Sequence, residues 1–120
     1  MKSRDTLIRL KRFQVDEKRR QVMQIETMVA EFERMAGDLD REIKSEEAKA
    51  GITDPNHFAY PTYARAATGR RDNLRGSADD LKIKLEDAKS ALEDAVEDLK
   101  MVETLDDREK ATERGLAVQG

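Results

Sequence analysis

The chain contains no cysteine and no tryptophan, a single histidine, two prolines, and aromatics at only 4% of its residues. Without cysteine it has neither disulfides nor thiolate chemistry, and a reducing compartment is permitted. The lone histidine, His57, has no second imidazole or thiol to join it in a transition-metal site, although Asp54 is near in sequence. It reads as an exposed loop residue, and no metal or other cofactor is expected. No apolar run reaches the roughly 18 residues of a membrane span. The start, Met1-Lys2-Ser3-Arg4-Asp5, has no apolar stretch behind it, because Leu7 and Ile8 are followed at once by Arg9, Lys11 and Arg12. A cleaved signal peptide is therefore not expected. Zinc-finger spacing and a glycine-rich phosphate loop are also missing.

What the chain has is charge and period. Charged residues make up 41% of its 120 positions, a length suited to one domain. That balance fits a narrow buried stripe with solvated flanks better than a broad core. In the second half, apolar residues recur at alternating steps of four and three: Tyr60, Ala64, Ala67, Leu74, Ala78, Leu81, Leu85, Ala88, Leu92, Ala95, Leu99 and Val102, with Arg71 the one interruption. The first half repeats the pattern with Val22, Ile25, Val29, Phe32, Ala36, Leu39 and Ile43. A step averaging 3.5 residues keeps one stripe facing a partner helix through a left-handed supercoil. The fold expected is all-α, a long two-helix antiparallel coiled-coil hairpin forming one domain over residues 1–120.

Local signals place its parts. Ser3 suits an N-cap, and Asp5 sits where the helix dipole favours an anion, so helix 1 should run from about 3 to about 50 and stop at Gly51. The connector, about 51–60, carries Asp54-Pro55-Asn56, a turn sequence. Pro61 suits the first turn of helix 2, which should run from about 61 to about 113 before a frayed tail at 114–120. Gly69 and Gly76 fall opposite the seam. They are either harmless solvent-facing glycines or a softened segment that bends helix 2 or admits a close partner. A seam of about twenty apolar residues, many of them alanine, leaves a thin margin over chain entropy, so a monomer that gains from a partner is expected.

Charge is distributed unevenly. Lys2, Arg4, Arg9, Lys11, Arg12, Lys18, Arg19 and Arg20 dominate the start, while acids dominate from Asp79 to Asp107. An antiparallel hairpin brings these opposite signs together, which sets orientation more than it adds stability.

Three of the five aromatics, Phe58, Tyr60 and Tyr63, fall within six residues. Packing is the expectation for Phe58 and Tyr60. Tyr63, flanking the seam, suits packing and binding equally. At the start of helix 1, Leu7 and Ile8 can serve the seam, but Leu10 and Phe13 point elsewhere, and Lys11 and Lys18 occupy seam positions. Either the lysine stems snorkel along the seam or this end inserts into another protein. The basic run is interleaved with Asp16 and Glu17 in an acidic chain, which argues against nucleic acid. Lys11 and Lys18 likewise interrupt any lipid-facing stripe. A two-helix hairpin offers no water-excluding pocket, so no enzymatic activity is expected.

The opening Leu7-Ile8-Arg9-Leu10, the connector Thr53-Asp54-Pro55-Asn56-His57-Phe58-Ala59-Tyr60-Pro61, and the pair Tyr60-x-x-Tyr63 before Arg70-Arg71-Asp72-Asn73-Leu74 resemble the FliJ family of flagellar type III export proteins. The resemblance runs nearly end to end, with the connector its most specific part. It implies a cytoplasmic coiled coil similar to the central stalk of rotary ATPases, peripheral to the inner membrane at the flagellar base and held there only through partners. The implied partners are the export ATPase ring, the cytoplasmic domain of the export gate, and substrate-specific export chaperones. By the same resemblance, Leu7, Arg9, Leu10, Lys11 and Phe13 would meet the ATPase, and Tyr63 and Ala67 would meet the gate. Family members often carry a larger aliphatic where Ala67 stands. Two other readings remain as alternatives: a generic coiled-coil adaptor or chaperone gripping partner helices and, less favoured by the charge pattern, a nucleic-acid-associated hairpin.

Overall fold

The structure, a computed structural model, describes residues 2–119. It is all-α, with two long helices packed antiparallel: α1 (Lys2–Ala50) and α2 (Thr62–Gln119). Two compact units divide the chain. One pairs the α1 residues up to Met23 with the α2 residues from Glu86 onward, and the other is the continuous stretch Gln24–Leu85, which contains the connector.

The four-three series is the buried stripe. On α1 the buried residues are Ile8, Val15, Val22, Val29, Ala36, Leu39 and Ile43, with Ile25 and Phe32 half-buried between them. Tyr60 at the end of the connector is buried, as are Ala64, Ala67, Ala78 and Ala95 on α2, while Leu74, Leu81, Leu85, Leu92 and Leu99 are half-buried. On α2 the buried apolar seam positions are alanines and the leucines are half-buried, whereas on α1 Leu39 and Ile43 are buried against that alanine-rich face. The densest packing lies in the connector unit, where Leu39, Ile43, Tyr60, Ala64 and Ala67 form one cluster with Ile52 and Leu74 against it.

The helix ends differ from the sequence expectation in two places, at Ser3 and beyond Arg114, while α2 is continuous as expected. α1 is already helical at Lys2, so Ser3 lies inside the helix and does not cap it, while Asp5 keeps its place in the first turn. α2 passes through Gly69 and Gly76 without a break, because i→i−4 bonding on both sides carries two exposed glycines. It also continues beyond Arg114, where a frayed tail is expected, to Gln119; Gly120 lies outside the described residues.

The connector is tightly bonded. Gly51 takes φ +69°, the left-handed conformation that ends many helices, and its N–H donates to the Glu47 carbonyl at 2.9 Å. The Asn56 N–H donates to Asp54 Oδ1 at 2.9 Å, the His57 N–H to the Asp54 carbonyl at 3.1 Å, and the Tyr60 N–H to the His57 carbonyl at 3.0 Å. Asp54 thus builds the turn with both its side chain and its backbone. The Pro61 carbonyl accepts from the Arg65 N–H at 3.1 Å and opens α2.

Candidate interaction surfaces

In the unit that holds both ends of the chain, opposite charges meet across the helix pair. Arg4 lies 2.9 Å from Glu109, Arg12 3.3 Å from Glu103, and Lys11 3.9 Å from Asp98. This is the basic-start-to-acidic-end pairing read from the sequence. Lys11 is half-buried at its seam position, with its stem along the apolar stripe and its ammonium turned to the flank. Leu7, Leu10 and Phe13, three residues apart, are exposed, Phe13 to 57%. Arg9 is exposed beside them. The same unit exposes Met101, Leu105 and Leu116 on α2. Of the five residues expected to meet an ATPase, four therefore lie open on one stretch of α1, and Lys11 lies in the seam.

One buried group escapes the apolar pattern. Asp106 is 5% exposed, the one buried charged residue among the described positions. It stands four residues after Val102, so it continues the seam. Lys110, one turn on, reaches it at 3.0 Å, and the contact raises the ammonium pKa. Asp5, Ile8, Arg9 and Arg12 line the recess around this pair, which encloses about 270 Å³. Asp106 stands in the sequence as one more four-residue step, but the apolar series itself ends at Val102.

In the connector unit the flanking charges reverse their order along the chain. Here α1 supplies acids and α2 supplies bases. Arg71 donates to Asp40 at 2.7 Å, Arg75 lies 3.7 Å from the same carboxylate, and Lys82 reaches Glu33 at 2.7 Å. The hydrogen bond from Arg71 holds the Asp40 pKa below its ordinary value, with Lys44 and Arg75 adding to the effect against partial desolvation. Lys82 is raised by its bond to Glu33.

The aromatics separate into three roles. Tyr60 is buried and its hydroxyl donates to Glu47 at 2.9 Å; burial, then that carboxylate, raise its pKa. Arg65 lies over the ring at 5.4 Å. Tyr63 is half in solvent and donates to Glu42 at 2.5 Å, a bond that is the main cause of its raised pKa. Phe58 is not packed as expected. It is 97% exposed and touches mainly His57, with ring centroids 4.7 Å apart. The turn bonds explain this: His57 Nδ1 accepts from the Ala59 N–H at 3.0 Å, which fixes the chain so that the residue between them points outward. Ala67, expected beside Tyr63 at a gate contact, is 2% exposed and belongs to the core. Its methyl group fills the seam, so Tyr63 alone of that pair has a side chain open to solvent.

Among the described residues, no helix is long and apolar enough to cross a membrane. No family model, no curated protein and no solved structure matches this chain.

Proposed function

We propose that this chain is a non-catalytic coupling component of a flagellar type III export apparatus, of the FliJ kind. It links the export ATPase to the export gate and escorts substrate chaperones by protein–protein contact alone. On this reading it works in the cytoplasm at the inner face of the flagellar base. The family reading comes from the sequence resemblance. The observation that carries the mechanism is the exposure of Leu7, Leu10 and Phe13 together with Arg9, in the unit where the two chain ends pair. Apolar side chains left in water at that end gain free energy by entering a partner.

A stiff helix pair with unlike faces inserted in a ring of identical subunits presents a different surface to each. Such contacts bias nucleotide states only if they differ in free energy between those states. Tyr63 is the residue for the gate contact. The test is Leu10→Asp with Phe13→Asp, both exposed positions. Loss of ATPase stimulation with unchanged helicity supports the assignment. Unchanged stimulation removes it, and binding of many helical peptides without any effect on an ATPase favours a general adaptor.

A further inference from the structure

Arg71 is the one charged residue in the α2 seam between Tyr60 and Val102. It follows the buried Ala67 by four residues and precedes the buried Ala78 by seven, and only 21% of its side chain is exposed. An aliphatic residue there would bury more apolar surface at no cost in desolvation. The charge therefore answers to something other than stability.

We propose that Arg71, with its like-charged neighbours, reserves the α2 seam for an acid-bearing helix and bars two copies of α2 from pairing in parallel. The long apolar series of α2 is the kind that self-associates. In a parallel pair of α2 helices, like seam positions face each other, so Arg71 would meet Arg71. Flanking residues five apart also meet across such a pair. Those couples are Arg70 with Arg75, Lys84 with Lys89, and Asp98 with Glu103, each of one sign. The seam repels at Arg71 and the flanks repel in three alternate heptads, with Ser77–Lys82 and Ala91–Val96 between them.

Against α1 the same residues find partners. Asp40 accepts from Arg71 at 2.7 Å and lies 3.7 Å from Arg75. A charged residue at one seam position is an established means of choosing a partner at some expense of stability. Here the choice lies between α1 and a second copy of α2.

The test uses the full chain with Arg71→Leu and Arg71→Lys, each alone and combined with Ala88→Cys. Ala88 is a half-buried seam position in a chain with no cysteine of its own. In a parallel α2 pair two cysteines at that position face each other and can join. Expected for Arg71→Leu are a melting temperature higher by about 4 °C, a dimerisation constant at least about tenfold stronger by light scattering, and disulfide-linked dimers on mild oxidation. Arg71→Lys, which keeps the charge, should stay at the wild-type dimerisation constant and form no such link. Equal dimerisation of Arg71→Leu and wild type overturns the proposal. So does a less stable Arg71→Leu chain, or a dimer in which the cysteines fail to join, because that dimer exchanges α1 and leaves the α2 seams apart.

Discussion

Arg4 and Glu109, near opposite ends of the sequence, meet at 2.9 Å across the helix pair. Both are at seam positions, four before Ile8 on α1 and three after Asp106 on α2, where a regular coiled coil would place aliphatic residues. The end of this hairpin is therefore closed by charge. About a third of each side chain is exposed, so salt should weaken the contact. Replacing either residue with alanine should cost under about 1 kcal/mol at low ionic strength and almost nothing in molar salt. Chemical denaturation with urea at two salt concentrations measures this, and a loss that salt leaves unchanged would contradict it.

Asp106 lies deeper in the same seam. Asp106→Leu should stabilise the chain by about 1–2 kcal/mol, because it exchanges a desolvated carboxylate for apolar burial and leaves Lys110 free to enter solvent. The urea midpoint reports the change. A destabilised Asp106→Leu variant would mean that the carboxylate is required by the surrounding Arg9 and Arg12.

Asp40 gives the molecule an acid-sensitive contact. Its folded pKa lies below its unfolded value, so the contact contributes above the ordinary carboxylate range and fades as pH falls through the depressed folded value. Wild type should melt above Asp40→Asn at neutral pH, and the two curves should converge on acidification below about pH 4. Parallel curves throughout would exclude the linkage.

The glycines divide by conformation. A methyl group added at Gly69 or Gly76 meets nothing within 4 Å, and both lie inside α2. Alanine at either should stabilise by about 0.5–1 kcal/mol. Gly51 also has open space, but its φ of +69° disfavours a side chain, so Gly51→Ala should destabilise by about 1 kcal/mol. Thermal melts of the three variants decide the order. If Gly69→Ala or Gly76→Ala impairs partner binding while raising stability, a close approach at that face is the cause.

A buried stripe with a fixed period is legible because every residue of the stripe carries the same signal. Val22, Val29, Ala64 and Ala95 are all buried where the four-three steps put them. Phe58 was misread because composition favours burying a phenylalanine, while its orientation depends on bonds among Asp54, His57 and Ala59 that no periodicity encodes. Asp106 was missed for the converse reason: its position follows the rule and its chemistry does not. The interhelix ion pairs of the terminal unit follow from charge asymmetry, whereas Arg71 with Asp40 requires the register, which the connector sets. The surfaces are the least legible part. Leu10 and Phe13 stand out only once the seam is known, and Ala67 shows that a position borrowed from a resemblance can already be occupied by the fold.

The core cluster of Leu39, Ile43, Tyr60, Ala64 and Ala67 spans the connector, so its contacts join residues close in sequence. Closing a short loop costs less entropy than closing a long one. Ordering should accordingly begin at the turn and travel outward like a zip. The ends, joined last and mainly through charge, are then the first to part, which leaves them the least costly place for the molecule to adapt its shape to whatever it meets.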